Sequence, residues 1–316
     1  MIKRFFHIVL LSILCLPALH AQVKAKKPSY YDGPYLFFKG DRVVAQWVEN
    51  TEFKQKIFDK GAPVSIPSSV CPDFKINQKA LKQGFKTNPV INFKTDAKIA
   101  ALSDVHGQYE VFVKLLQEHG IIDDKRNWSF GNGHFVIVGD IFDRGDQVTE
   151  ILWLIHKLEQ QAPKVEGQVH FLLGNHEVMV LTGDDRYIHK KYRYTMALLK
   201  RPLAQIFAKD TYLGMWLRSK PLAITINDMA FVHGGFSELL LEKMGSFERI
   251  NQLGRTFIDT PAEEMEADSL LSFLNTMQGP LWYRGYFDEN LTGKRDADKI
   301  LKKINKEHII VGHTSH

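Results

Sequence analysis

Side chains able to bind metal ions recur in this 316-residue chain at the ends of short apolar runs. Ser103-Asp104-Val105-His106-Gly107 follows one run, Gly139-Asp140-Ile141-Phe142-Asp143-Arg144-Gly145 a second, and Gly174-Asn175-His176-Glu177 a third. Asp104 and Asp140 are 36 positions apart and Asp140 and Asn175 are 35, each close to one βαβ unit of about 30 or more residues. Asp104 and His106, two apart, project to the same side of extended backbone and can grip one ion together. Carboxylate, imidazole and amide form a mixed O/N donor set with no thiolate in reach. That set suits Mn²⁺, Fe, Zn²⁺ or a pair of them and does not select among them. His233 in Val232-His233-Gly234-Gly235 and His313 in Val311-Gly312-His313-Thr314 repeat the pattern. A lone histidine beside a strand is more often a packing or surface residue than a ligand. Five such strand ends in one chain shift the weight toward ligation.

Bringing these groups together requires a sheet whose strand ends share one edge. From Lys98 the sequence alternates short apolar runs with amphipathic stretches. Lys98–Leu102 is followed by a helical segment with Val111, Leu115 and Leu116 on one face, then Phe135–Val138, helical Val148–Leu158 and Val169–Leu173. Such alternation implies βαβ units in a parallel sheet, an α/β fold whose ligands bind at the carboxyl ends of the strands. Leu222–Ile226 and Met229–Val232 around Asn227-Asp228 predict a hairpin, and Ile309–Val311 a last strand. Upstream, Tyr35–Phe38 and Val43–Val48 flank Lys39-Gly40-Asp41 as a second hairpin, while Thr51–Asn92 lacks periodicity and is expected to be irregular with short helical pieces. The basic helical stretch 184–218 is either a solvated face or a cap that attracts anions.

Composition excludes several classes. With 44% apolar and 24% charged residues the chain is ordinary globular protein. Lys3 and Arg4 precede the apolar run Phe5–Leu16, then Pro17, Ala18 and Ala21, a secretory signal-peptide pattern over residues 1–21. The run is shorter than the roughly 20 residues of a spanning helix, so no stable membrane insertion is expected once the leader is cleaved; an uncleaved anchor is the alternative. The formal charge is +5, and loss of Lys3 and Arg4 leaves 39 basic against 36 acidic residues, a net of +3, too little to argue for nucleic acid as partner. Cys15 lies in the leader and Cys71 stands alone beyond it, so the mature chain forms no internal disulfide. Periplasmic or secreted location in a bacterial-type envelope is the expectation.

The motifs Asp104-Val-His106-Gly107, Gly139-Asp140-Ile-Phe-Asp143-Arg144-Gly145, Gly174-Asn175-His176-Glu177, His233-Gly234-Gly235 and Gly312-His313 resemble, in order, those of calcineurin-like metallophosphoesterases of the phosphoprotein phosphatase type. The extension from Gly174 through Gly183-Asp184-Asp185-Arg186-Tyr187 is similar to the Shewanella-like bacterial branch. One departure is Ser103, where many relatives have glycine, which bears on backbone tightness rather than ligation. The resemblance covers residues 98–316 as catalytic domain, with 22–97 an N-terminal hairpin and irregular extension. It implies a four-layer α/β sandwich, two mixed sheets flanked by helices, with a small helical cap at about 184–218. The chain stops three residues after His313, whereas relatives continue with more sheet, so an incomplete C-terminus or a loosely held last ligand is expected.

Carried onto this sequence, the resemblance implies two divalent cations, Mn, Fe or Zn. Asp104 and His106 would hold one, Asp140 would bridge, and Asn175, His233 and His313 would hold the second. Arg144 and Arg284 would clamp a phosphate beside Asn175, and His176, oriented by Asp143, would protonate the leaving group. Glu177 is expected to support the ligands. Asp143 as a helix N-cap and Arg284 as a surface residue are the plain alternatives. His134, His156, His170, His189 and His308 lack motif context and are expected at the surface or in packing, and Trp282 and Tyr283 in the core. The implied reaction is phosphomonoester hydrolysis by a hydroxide shared between the cations, on a phosphorylated protein or small phosphoester, phosphotyrosine before phosphoserine or phosphothreonine. The alternatives are a phosphodiesterase or dinucleotide polyphosphate hydrolase and, in another class, a non-catalytic envelope-anchored phosphate-binding protein.

Overall fold

A computed structural model describes residues 30–59, 62–65, 75–76, 85, 87–287 and 293–314. Residues 1–21, expected to form a signal peptide, with Cys15, Cys71 and most of 66–84, lie outside the described residues.

Strand β8 (His134–Ile137), buried at all four positions, pairs in parallel with β7 (Ile99–Leu102) on one side and β9 (Gln168–Phe171) on the other. Its continuous apolar character follows from burial on both faces. A second sheet has the order β12 (His308–Ile310), β11 (Met229–Val232), β10 (Ala223–Ile226), β6 (Asn92–Phe93). Here β10 and β11 form the expected hairpin, while β12 and β6 add in parallel. The two sheets meet through Val136, Val138 and Leu172 against Ile224, Ile226 and Phe231. Burying side chains such as Ile137 or Phe231 contributes about 1.5–3 kcal/mol each.

The crossovers are α1 (Tyr109–Glu118) between β7 and β8, and α2 (Val148–Gln161) between β8 and β9. On α1 the buried face is Tyr109, Phe112, Val113 and Leu116, whereas Val111 and Leu115 are exposed. The expected face was therefore rotated: Tyr109, Phe112 and Leu116 follow the i, i+3, i+7 row, and Val111 and Leu115 fall outside it. Next come α3 (Asn175–Thr182), α4 (Lys190–Leu199), α5 (Leu203–Ile206), α6 (Tyr212–Arg218), α7 (Glu238–Met244) and α8 (Phe247–Asp259). On α8, Asn251 binds β10: its Oδ1 accepts from the N–H of Leu222 and Ala223, and its Nδ2 donates to the Ala223 carbonyl. The result is a mixed α/β fold with several sheets flanked by helices, in which the β7–β8–β9 sheet is parallel throughout and the four-stranded one mixed.

The N-terminal hairpin forms from β1 (Tyr31–Lys39) and β2 (Arg42–Glu49), and a third strand, β3 (Glu52–Phe58), continues it, while β4 (Val64–Ser65) and β5 (Lys75–Ile76) pair with each other. The expectation of irregular structure from Thr51 is corrected here. β3 is almost wholly exposed and carries Lys54 and Lys56, so it lacks the alternation that betrays a strand; pairing with β2 makes it one. The segment 184–218 packs on this sheet. Tyr35 meets Phe207 edge-on, Arg201 covers the Phe37 ring, and Thr195 donates to Asp32. Its basic residues divide: Arg186, Lys190, Arg193, Lys200 and Lys209 are exposed, while Lys191 is buried against Glu150. His134, His156 and His170 are buried, His189 caps α4, and His308 is exposed. Among the described residues no helix is long and apolar enough to cross a membrane.

Candidate metal centre and active site

The five loops after β7, β8, β9, β11 and β12 converge. Left-handed backbone concentrates there: φ is positive at Asp104, His106, Asp140, Asp143, Arg144 and His313. Each such residue costs on the order of 1–3 kcal/mol and persists only where surrounding bonds enforce it. The loops enforce it on one another. Asp104 N–H donates to the Gly139 carbonyl, His106 N–H to that of Asp140 and Gly107 N–H to that of Ile141, and Gly145 N–H returns to His106. At Gly107 a side chain would collide with the Gly145 backbone, so glycine is required by contact as well as by φ. Ser103 donates its hydroxyl to the Val138 carbonyl at 2.9 Å, tightening the β7 loop.

Asp140 is buried, and its Oδ2 lies 3.1 Å from His233 Nε2 and 3.7 Å from His106 Nε2. Asp104 Oδ1 is 3.8 Å from the same His106 nitrogen, and its other oxygen accepts from the His313 N–H at 2.9 Å. Asn175 Oδ1 is 2.9 Å from His233 Nε2. The donor atoms of Asp140, His106 and His176 form one cluster and those of Asp140, His233 and His313 a second, so Asp140 belongs to both.

The ring nitrogens test whether cations fit. His106 Nδ1 donates to the Phe142 carbonyl and His233 Nδ1 to that of Val138, both at 2.7 Å. In neutral imidazoles this leaves the Nε2 lone pairs facing the pocket, the arrangement found in metal-ligating histidines. Nε2 of His106 and His313 and Nδ2 of Asn175 are buried with no hydrogen-bond partner among the described residues. Lone pairs from His233, Asn175 and Asp140 then converge, which is repulsive unless a proton or cation sits among them. In the bare protein a proton does so: burial opposes it, but Asp140 outweighs burial and raises the His233 pKa to about 9. Burial likewise disfavours the Asp140 carboxylate, yet His233, His176 and His106 hold its pKa well below the usual range. Burial, His233 and Arg284 lower His313 to about 4, and burial lowers His106, leaving both imidazoles neutral and able to ligate. The donor set fits divalent cations.

Beside the carboxylate, His176 Nδ1 donates to Asp143 Oδ2 at 2.5 Å, and its Nε2 points toward Asp140 at 3.9 Å. Burial would lower the His176 pKa, but the Asp143 hydrogen bond and the charges of Asp140, Asp143 and Glu177 raise it. Asp143 is thus bound to His176, and Gln147 takes the N-cap position of α2. Arg144 and Arg284 are exposed at the rim, Arg144 within charge reach of His106 and Arg284 of His313. Arg284 donates to the Thr314 hydroxyl at 3.1 Å. Tyr283 is buried, and Trp282 is half-buried with its ring edge-on to His313 at 5.4 Å.

Sequence reasoning gave Glu177 a supporting role without its geometry. Its carboxylate accepts from the N–H of Gly174, Asp140 and Ile141 at 2.7 Å each and of Phe142 at 3.1 Å. Burial and Asp140 raise its pKa, while four donors favour the anion. A glutamate at the third position of a helix is a capping signal, and here the cap extends to a second loop. Tyr187 and Thr314, which touch His176 and Arg284, were given no role by the sequence.

Comparison with known proteins agrees with this geometry. The calcineurin-like phosphoesterase family model matches residues 97–316. Shewanella-like protein phosphatase 1 of Plasmodium berghei is 28% identical over 256 residues, 76% of this chain and 67% of that protein. Shewanella-like protein phosphatase 2 of Arabidopsis thaliana is 35% identical over 99 residues, 31% of this chain and 25% of that protein. The crystal structure of a cold-active protein-tyrosine phosphatase from a psychrophilic Shewanella superposes with a TM-score of 0.83 at 40% identity, covering 91% of this chain and 86% of that one. The chain is therefore a hydrolase of phosphoesters and belongs to the calcineurin-like phosphoesterase family, in its Shewanella-like protein phosphatase branch.

Proposed function

We propose that the protein is a two-metal phosphomonoesterase acting on phosphoproteins, with phosphotyrosine preferred. The observation that carries the reading is the position of Asp140 Oδ2 between His233 and His106, two imidazoles whose other nitrogens are fixed by backbone carbonyls. Asp104, His106 and Asp140 would hold one cation and Asp140, Asn175, His233 and His313 the other. A bound pair supplies charge neutralisation of the phosphate and activation of water.

The protein's own groups do the rest. Arg144 and Arg284, planar donors at the rim, suit the equatorial phosphoryl oxygens, and Asn175 adds a neutral amide beside them. Asp143 takes the Nδ1 proton of His176 in a hydrogen bond, so the proton available to the substrate is on Nε2, which faces the pocket. The raised pKa favours the form that carries that proton, as a general acid for the departing phenolate or alkoxide needs. Glu177 and the interlocked loops hold these groups before substrate arrives. The tyrosine preference is supported by likeness to the Shewanella enzyme, and the signal-peptide pattern over residues 1–21 supports action in the envelope or outside the cell.

The test is a substrate panel in Mn²⁺: p-nitrophenyl phosphate, bis-p-nitrophenyl phosphate, dinucleotides, and matched phosphotyrosine and phosphoserine peptides. Faster turnover of monoesters, with the phosphotyrosine peptide leading, is expected. Faster turnover of diesters or dinucleotides would overturn the monoesterase reading, and no turnover of any would overturn the catalytic one.

A further inference from the structure

Tyr187 is a large aromatic left half in solvent, 51% exposed, in the loop between α3 and α4. It is nonetheless held from several directions. Its carbonyl accepts the backbone N–H of Arg144 at 3.0 Å. Its ring meets that of His176 at 5.7 Å and 61°, an edge contact. The Arg186 guanidinium lies 5.5 Å from the ring centre, and two hydrogen bonds, Nε to Asp184 Oδ1 at 2.9 Å and Nη2 to Asp184 Oδ2 at 2.8 Å, fix that guanidinium in turn. An exposed aromatic ring thus lies between a cation paired with Asp184 and the proposed proton donor.

We propose that Tyr187 selects aromatic over alkyl phosphoesters by forming the wall against which the leaving group packs. The inference rests on the reading of His176 as proton donor. An oxygen that takes the Nε2 proton lies about 3 Å from that nitrogen. The ring of an aryl ester begins one bond beyond that oxygen, and on this proposal it lies beside Tyr187, whose ring neighbours His176 at 5.7 Å, as an aromatic pair of the kind favoured at centroid separations of roughly 4.5–7 Å. The short methylene of a phosphoserine offers no face to Tyr187 and leaves its exposed ring in water. A pair of this kind is worth about threefold to tenfold in discrimination. Arg144 is tied to Tyr187 by its backbone and Tyr187 touches His176, so phosphate clamp, wall and proton donor are positioned together.

The experiment compares kcat and KM of the metal-loaded protein on phosphotyrosine and phosphoserine peptides of one sequence, for wild type, Tyr187→Ala and Tyr187→Phe. The quantity read is the ratio of the two kcat/KM values. Tyr187→Ala is expected to lower the ratio by about threefold to tenfold, chiefly through the KM of the phosphotyrosine peptide, and Tyr187→Phe to restore it. If Tyr187→Ala slows both substrates by one factor, the residue only supports His176 and the inference is overturned, as it is if the ratio does not move. A wild-type ratio near one sinks the tyrosine preference and the inference with it. A high wild-type ratio that survives Tyr187→Ala sinks the inference alone.

Discussion

Glu177 grips the loop of Asp140 from within: one carboxylate, fully buried at the start of α3, accepts the N–H of Asp140 itself and of the next two residues. The residue shared by both donor clusters is therefore positioned by a neighbour that holds its backbone. His176 N–H donates back to Asp140 Oδ1 at 3.1 Å, closing the exchange between the two loops.

Glu177→Gln replaces an acceptor oxygen with an amide donor facing backbone N–H groups. A loss of about 10–100-fold in kcat/KM, with weaker metal retention, is expected. Activity measured against added Mn²⁺ checks it, and wild-type activity at limiting metal would contradict the role.

His176→Asn removes the proposed proton donor and keeps the backbone bond to Asp140. Turnover of a phosphotyrosine peptide should fall by about 10²–10⁴-fold. The fall should be smaller for p-nitrophenyl phosphate, whose phenolate departs more readily unprotonated. Equal losses on both esters would place His176 elsewhere in the chemistry.

Away from the site, His156 is buried among Trp153, Tyr212 and Trp216, and burial with Lys220 lowers its pKa to about 3. The folded pKa is depressed below the ordinary 6.5 of a free histidine, so the stability this group contributes is present above 6.5 and lost as pH falls from there toward 3. Melting temperature should decline across that window. His156→Gln should show a shallower decline, and an unchanged slope would remove His156 as a cause.

Asp32 tests whether the N-terminal sheet belongs to the same folding unit. It is fully buried and accepts from Tyr35, Thr149 and Thr195, with Lys191 Nζ 3.9 Å away. Asp32→Ala leaves three buried hydroxyls and an ammonium short of a partner, which should cost about 3–5 kcal/mol in urea unfolding. A change under about 1 kcal/mol would show the sheet docked without this network.

The site was legible in the sequence because its residues are tied to strand ends, where short apolar runs stop at Asp104, Asp140, Asn175, His233 and His313. The geometry between loops was not. Glu177 reaches Asp140 across 37 positions, and no local pattern encodes that bond. The β3 strand was hidden because its side chains face water and its stability comes from backbone pairing. The face of α1 was misjudged because Val111 and Leu115 are apolar yet exposed, which apolar residues often are. Asp32 reads as a turn residue near Gly33-Pro34, and only the arrival of α2 and α4 shows it buried.

On the proposed mechanism these loops trap a pair of cations that turnover requires. Elemental analysis of the purified protein, paired with phosphotyrosine-peptide turnover before and after chelation and after metal return, decides it. The expected result is about two divalent ions per chain, activity lost with them and regained on reloading. Full turnover by metal-free protein, or stoichiometric metal without turnover of any phosphoester, would contradict it.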